Sequence, residues 1–237
     1  MRVLGKGNTA EVIEWDNDKV CKLFYEGYPH SAVEREYNNA KLIQTMDIPM
    51  PEVYEIVHVG VREGIIYDRL EGQSVLEKLL EGGDVNLLFN QIVDLHKKIL
   101  GYNTCEVMSY KEFLQLCIGE KTTRNVDIYN EIKSLPDDTC LCHGDYHPGN
   151  IWMDTNNKIS VIDFMNVCHG PWQYDVARTY VLISEGDVPQ EVPNREKIIY
   201  MQKQLANIYL KKLHVSYNNI SEYVSIIQKC REYELQY

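Results

Sequence analysis

The chain has 237 residues, 44% of them hydrophobic and 25% charged. This is an ordinary globular balance and excludes a disordered or collagen-like chain. Lys and Arg number 24 against 35 Asp and Glu, a formal net charge of -11. That argues against nucleic acid as a partner and suits cationic or neutral ligands. No run approaches the ~20 apolar residues of a membrane helix, and the residues after Met1 form no signal-peptide core. No membrane is therefore expected as a partner. Seven cysteines without a CxxC pair point to thiols in a reducing, cytoplasmic setting rather than to a disulfide framework.

The first seventy residues read as strand-rich. Gly5 to Asn8 is a turn, Glu11 to Trp15 alternates like a half-buried strand, and Asp16 to Asp18 turns the chain into a strand over Val20 to Phe24. From Ser31 to Gln44 the period changes. Val33, Tyr37, Ala40 and Ile43 form a helical stripe. Val53 to Val57 and Gly64 to Tyr67 read as two more strands. Helices are expected around Leu87, Ile92, Leu95, Ile99 and Leu100, near Tyr110 to Leu116, and near Ile128 to Ile132. Ile151 to Met153 and Ile159 to Ile162 bracket Asp154 to Asn157 as a small hairpin. Two last helices run from Asn194, after Pro193, to about His214 and from Ser221 to about Tyr233. The pattern predicts an α+β chain in two lobes. A small strand-rich lobe spans 1–70 and a larger helical lobe spans 71–237, with a hinge near Asp68 to Gly72.

The densest chemistry lies between His143 and Phe164. His143, Asp145 and Asn150 stand in an H-x-D-x-x-x-x-N pattern, and Asp163 follows Asp145 by eighteen residues. Phosphoryl transfer needs these types. One carboxylate accepts the proton of an attacking hydroxyl, while an amide oxygen and a second carboxylate hold Mg²⁺ against nucleotide phosphates. Taken singly, H-G-D and Pro-Gly are ordinary loop residues; the joint pattern with a hairpin between its halves is not. Gly5 and Gly7 sit in a strand turn where the backbone can approach phosphates. No Walker loop occurs, and Ala10 stands where a G-x-G-x-x-G pattern would have its last glycine. Lys22, among apolar Val20, Leu23 and Phe24, needs water or a counter-charge. Glu34 and Glu36 are the two candidates, and they face different sides of the helix, so only one can pair.

These residues resemble the aminoglycoside phosphotransferase family of the protein-kinase-like fold. The resemblance runs from Gly5 to at least Ala177 and is strongest at His143 to Ile151 and Val161 to Phe164. Val33 to Tyr37 and Gly170 to Ala177 are also similar to family segments. It implies an Mg²⁺-dependent kinase using ATP or GTP. Asp145 would be the catalytic base, Asn150 and Asp163 the metal ligands. Lys22 would contact the phosphates, aligned by Glu36. The Gly5 and Gly7 turn would cover the nucleotide, and the segment with Asp68 and Leu70 would hold the purine. His143 and Asp175 would brace the loop. His147 is left between packing and a substrate contact.

Gly144 stands where protein kinases usually carry Arg, and Met165 replaces the Gly of D-F-G. No A-P-E follows and no long activation loop fits, so a small-molecule acceptor is expected over a protein. The first strand is expected to be short, with reduced nucleotide affinity. The acceptor would be a hydroxyl of an aminoglycoside or a similar sugar or amino alcohol. Glu71, Glu77, Glu81, Asp84, Glu185, Asp187, Glu232 and Glu234 are candidate contacts for a cationic one. The alternatives are a housekeeping metabolite kinase and a non-catalytic scaffold of the same fold. Tyr67, before the hinge, would narrow the purine pocket and favour GTP. The sequence carries no sign of the oligomeric state.

Overall fold

The computed structural model describes residues 1–188, 190 and 195–234, the last without its side chain. The expected helix start at Pro193 and Asn194, and the Glu234 side chain, lie outside the described residues. In chain order the elements are β1 (Val3–Lys6), β2 (Ala10–Glu14), β3 (Lys19–Phe24), α1 (His30–Gln44), β4 (Val53–Val59), β5 (Arg62–Asp68), β6 (Gln73–Ser74), α2 (Val75–Leu80), α3 (Val85–Leu100), α4 (Tyr110–Ile118), α5 (Val126–Ser134), β7 (Cys140–Cys142), β8 (Ile151–Met153), β9 (Ile159–Val161), β10 (Cys168–Gly170), α6 (Trp172–Ser184), α7 (Arg195–Leu213) and α8 (Ser221–Glu234). Single 3-10 turns occupy Pro148–Asn150 and Tyr217–Asn219.

Two compact units emerge. The first comprises Met1–Glu77 and Gly149–Asn166, the second Lys78–Pro148 and Val167–Tyr237. Where the sequence reading drew one boundary near residue 70, the hairpin segment thus counts with the first unit. Hydrogen bonds explain why. β8 pairs with β6 in a three-stranded sheet β6-β8-β9, Val161 N–H donates to Pro49 O at 2.9 Å, and Asn39 Nδ2 donates to Phe164 O at 2.9 Å.

The first unit is built on an antiparallel sheet of order β1-β2-β3-β5-β4. Its strands alternate, so one face carries Ile13, Cys21, Leu23 and Ile66 in a common apolar cluster. The register pairs Lys22 with Ile65 and Val20 with Tyr67, which puts Lys22 and Tyr67 on the other face. α1 is stitched to β4 there. Lys41 Nζ donates to Val53 O at 2.7 Å, Val53 N–H donates to Gln44 Oε1 at 2.8 Å, and Tyr37 OH donates to Tyr54 O at 3.1 Å. The expected turn over Gly5 to Asn8 shifts by two residues. Gly5 pairs with Val12 and Lys6 with Glu11 in the ladder, and the chain turns where Gly7 N–H bonds Ala10 O at 2.9 Å.

The second unit holds α3 to α8 with the small β7–β10 ribbon. α3 is capped by the Asp84 carboxylate on Asn86 and Leu87 N–H, an N-cap worth about 1 kcal/mol. Its buried stripe is Leu88, Phe89, Ile92, Val93, Leu95, His96 and Ile99; Leu87 faces water instead. Sequence reading did not foresee α6. Polar Asp175, Arg178 and Thr179 are buried in it beside Tyr174, Val176 and Ala177, so the apolar period is blurred. Five of the seven cysteines are buried, Cys117 is half-buried and Cys105 is exposed. No described helix is long and apolar enough to cross a membrane.

Gly72 joins β5 to β6 at φ +102°, and a Cβ there would run into the Met153 carbonyl of β8. Replacing it by alanine combines a left-handed backbone penalty with a backbone clash. G72A is expected to lower stability by roughly 2–5 kcal/mol, read as a reduced urea midpoint.

Candidate active site

Each unit contributes a distinct constellation. In the first unit, β3 presents Lys22 to α1 and to the loop after β9. Lys22 Nζ lies 2.7 and 2.9 Å from the two oxygens of Glu36 and 3.0 Å from Asp163 Oδ1. Glu34, the rival partner, instead lies on the exposed side of α1, 3.3 Å from His30 Nε2. The Glu36 carboxylate is buried, and Tyr67 OH donates to its Oε1 at 3.3 Å. Burial pushes the Glu36 carboxyl up, and the Lys22 ammonium opposes this. Burial likewise works to lower Lys22, but the Glu36 and Asp163 carboxylates outweigh it and raise the ammonium above its ordinary value. The Lys22 ammonium is therefore held in its charged form between the two carboxylates.

Asp163 adopts φ +68°, a left-handed backbone state uncommon for non-glycine residues but one that Asp tolerates, held here by its surroundings. The Asn39 bond to the next carbonyl supplies part of that hold. The β8–β9 hairpin pairs Ile151 with Val161, and Ile162 N–H donates to Asn150 O at 3.0 Å. Asn150 and Asp163 therefore leave the same end of one hairpin. An amide oxygen and a carboxylate are hard donors of the type Mg²⁺ takes, with water and phosphate completing the shell. Among the described residues no group of three or more His, Cys, Asp or Glu forms a metal cluster.

Gly5 ends up inside β1 with open space beside its Cα, and Gly7 in the turn has only Ala10 O nearby. Asp68 closes β5; its N–H bonds Glu52 O at 2.9 Å and its carboxylate accepts from Tyr54 OH at 2.7 Å. Leu70 is half-buried in the segment that follows.

In the second unit, Asp175 of α6 organises the loop after β7. Its Oδ2 accepts from His143 N–H at 2.8 Å and its Oδ1 from Gly144 N–H at 2.9 Å. His96 of α3 adds Nε2 at 2.9 Å. Burial works to raise this carboxyl, but the hydrogen bonds from His96 and Gly144 more than offset it and hold Asp175 below its ordinary range. Gly144 sits at φ +75°, which suits glycine, and its carbonyl accepts from Arg178 Nε. Asp145 follows with N–H to His143 Nδ1 at 3.3 Å. Its carboxylate is 24% exposed, and the partly exposed His147 lies 3.9 Å from it. Tyr146 anchors the loop through OH to Ile92 O at 2.7 Å. The expected brace by Asp175 is thus present. His96, Arg178 and Tyr209 were not foreseen; in the sequence they look like interruptions of apolar helix faces.

Of the acidic candidates, Glu77 accepts from Ser74 N–H and Oγ at 2.8 Å and Asp84 caps α3. Glu185 accepts from Gln228 Nε2 at 2.5 Å. Glu71, Glu81, Asp187 and Glu232 are exposed. Cys140 and Cys142 are buried packing thiols of β7.

Residues 122–197 match the family model described as the phosphotransferase enzyme family. No curated protein matches the chain. Among solved structures the chain is similar to an aminoglycoside-3'-phosphotransferase of type VIII, at 13% identity and TM-score 0.63, covering 95% of this chain and 92% of that one. It is also similar to ADP-bound aminoglycoside phosphotransferase APH(2'')-Ib, at 18% identity and TM-score 0.61, covering 98% and 86%. A third is aminoglycoside phosphotransferase APH(3'')-Id from Streptomyces rimosus with ADP and streptomycin, at 14% identity and TM-score 0.59, covering 88% and 85%. The fold is the α+β, protein-kinase-like fold of aminoglycoside phosphotransferases. The resemblance read from the catalytic-loop residues is matched by the family model over residues 122–197, and the solved structures show the fold.

Asp175 also sets a pH dependence. Its folded-state value lies below the ordinary 3.8, so the stability it contributes is complete above that pH and is lost as pH falls through the lower folded value. Acid titration followed by circular dichroism should show unfolding below about pH 4. D175N should be less stable near neutral pH, with a flatter acid limb.

Proposed function

We propose that the protein is a small-molecule kinase that transfers the γ-phosphate of ATP or GTP to a hydroxyl group. The observation that carries this reading is the Lys22 ammonium held between Glu36 and Asp163, on a fold shared with nucleotide-bound phosphotransferases. In this reading the first unit is the nucleotide-binding one. Lys22, aligned by Glu36, contacts the phosphates, and the end of β1 with Gly5 and the turn at Gly7 let backbone approach them. The Asp68 carbonyl and Leu70 N–H meet the purine, since the Asp68 N–H is committed to Glu52. Asn150 and Asp163 would hold Mg²⁺, which when bound supplies charge neutralisation on the phosphates.

Asp145, on the second unit's loop, orients the acceptor hydroxyl and takes its proton. The hydroxyl oxygen forms a bond to the γ-phosphorus, and the bond to the bridging oxygen breaks. The nucleoside diphosphate leaves with that electron pair. The partial exposure of Asp145 lets an acceptor reach it, while the Asp175 bonds keep its loop from rearranging.

The acceptor in this reading is an aminoglycoside or a related sugar or amino alcohol. The net charge of -11 favours a cationic acceptor and gives no support to nucleic acid. The solved neighbours include one with streptomycin and one with hygromycin B. A housekeeping metabolite kinase is the second reading, favoured by the structural commitments of Glu77 and Asp84. A scaffold without activity is disfavoured by the intact set Lys22, Asp145, Asn150 and Asp163.

A coupled nucleoside-diphosphate release assay over aminoglycosides, amino sugars and amino alcohols tests the reading. D145N should reduce turnover by ~10²–10⁴-fold while leaving the fold and nucleotide affinity in place; near-wild-type turnover would remove Asp145 from the base role. Nucleotide choice gives a separate test. The Tyr67 ring, tied by its hydroxyl to Glu36, is expected to narrow the purine site, so GTP should show the lower KM. A clear preference for ATP overturns that assignment.

A further inference from the structure

The second unit contains a buried polar chain longer than the loop brace described above. Tyr209 of α7 places its hydroxyl 2.6 Å from His96 Nδ1. The other ring nitrogen of His96, Nε2, reaches Asp175 Oδ2 at 2.9 Å, and Asp175 takes the His143 and Gly144 N–H groups. The His143 ring in turn accepts from Asp145 N–H. Five residues from four separate segments are thereby connected to the backbone of Asp145. Tyr209, His96 and Asp175 are fully buried, so no water competes for these bonds. His96 also stacks on Tyr146 at 4.2 Å between ring centroids, which restricts rotation of the imidazole.

The ionised Asp175 carboxylate only accepts, so the proton of a neutral His96 belongs on Nε2. Nδ1 must then accept, and the Tyr209 hydroxyl is the donor placed to satisfy it. A phenol that donates to Nδ1 therefore matches and reinforces the tautomer that donates to Asp175. Deprived of that donor, the buried Nδ1 is left unsatisfied, which is costly in a water-free interior. The ring can recover that bond only by moving toward another donor, and that movement weakens its hold on Asp175.

We propose that Tyr209, remote in sequence and absent from the motif, is a positioning residue that holds the catalytic loop through the His96 tautomer and Asp175. The link to turnover rests on the kinase reading of Asp145; the hold on the loop does not. Tyr110 supplies the control. It is an equally buried phenol of the same unit whose hydroxyl donates to Pro136 O at 2.6 Å, outside the chain.

The test compares the wild type, Y209F and Y110F as full-length proteins. Backbone amide exchange at His143 and Gly144, without nucleotide, is expected to quicken on the order of 10-fold or more in Y209F relative to Y110F. Nitrogen NMR of the His96 ring should show the Nε2–H tautomer in the wild type and in Y110F, and a changed signature in Y209F. Exchange and ring signals in Y209F that match Y110F overturn the proposal. Hydrolysis of MgATP and MgGTP, with water as acceptor, gives the second arm. Y209F should lose on the order of 10-fold in kcat with the nucleotide KM unchanged, and Y110F should keep both. Equal kcat in the two variants overturns the positioning role. A wild type that neither binds nor hydrolyses either nucleotide counts against the kinase reading alone, because the exchange and NMR arms still decide the hold on the loop.

Discussion

The Lys22 ammonium is shared by two carboxylates, Glu36 and Asp163, that come from distant parts of the chain. Glu36 lies under the sheet face, where a lone carboxylate would be driven to protonate. Asp163, in a left-handed backbone conformation, brings a second carboxylate to the same ammonium. Lys22 answers both, and it can do so only because β3, α1 and the loop after β9 converge on it. The β6–β8 pairing and the Asn39 and Pro49 bonds make that convergence part of one compact unit. Much of the first unit can thus be understood as the scaffold for one cation with two anions.

The second unit solves a related problem with opposite polarity. There a carboxylate is the hub and N–H groups are the spokes. Asp175 faces the desolvation cost of full burial, and the bonds from His96 and Gly144 more than offset it, with His143 N–H as a third donor. Because two of those donors are backbone groups of consecutive loop residues, the carboxylate fixes the path of the chain rather than a side-chain pose. Gly144 accommodates that path with its positive φ, and Arg178 binds the carbonyl that the turn exposes. Asp145 is left partly open on a loop whose neighbours are locked, an exposure that the proposed base role needs.

Sequence patterns disclosed these elements unevenly. A strand with clear alternation, such as β2, and helices with clean stripes, such as α1 and α3, were legible because each buries one face. The turn near Gly7 was misplaced by two residues, since a glycine pair marks a bend but not the ladder register that decides where it falls. α6 went unseen because its buried face mixes Asp175, Arg178 and Thr179 with apolar residues. Glu34 and Glu36 were distinguishable only as lying on different sides of a helix. Which side meets Lys22 follows from the sheet register.

By itself the sequence determined the local chemistry. The spacing of His143, Asp145, Asn150 and Asp163, the lysine on an apolar strand and the missing activation segment are all short-range features. They mark a phosphoryl-transfer pattern on a mixed α+β chain. Only the tertiary structure decided which groups hold those residues in place. Lys22 and Asp163 are 141 positions apart, and His96 and Tyr209 are 113 apart. No local period encodes such pairings. A buried polar contact between distant elements is chosen by how their surfaces pack, and the cost of leaving either partner unsatisfied makes it specific.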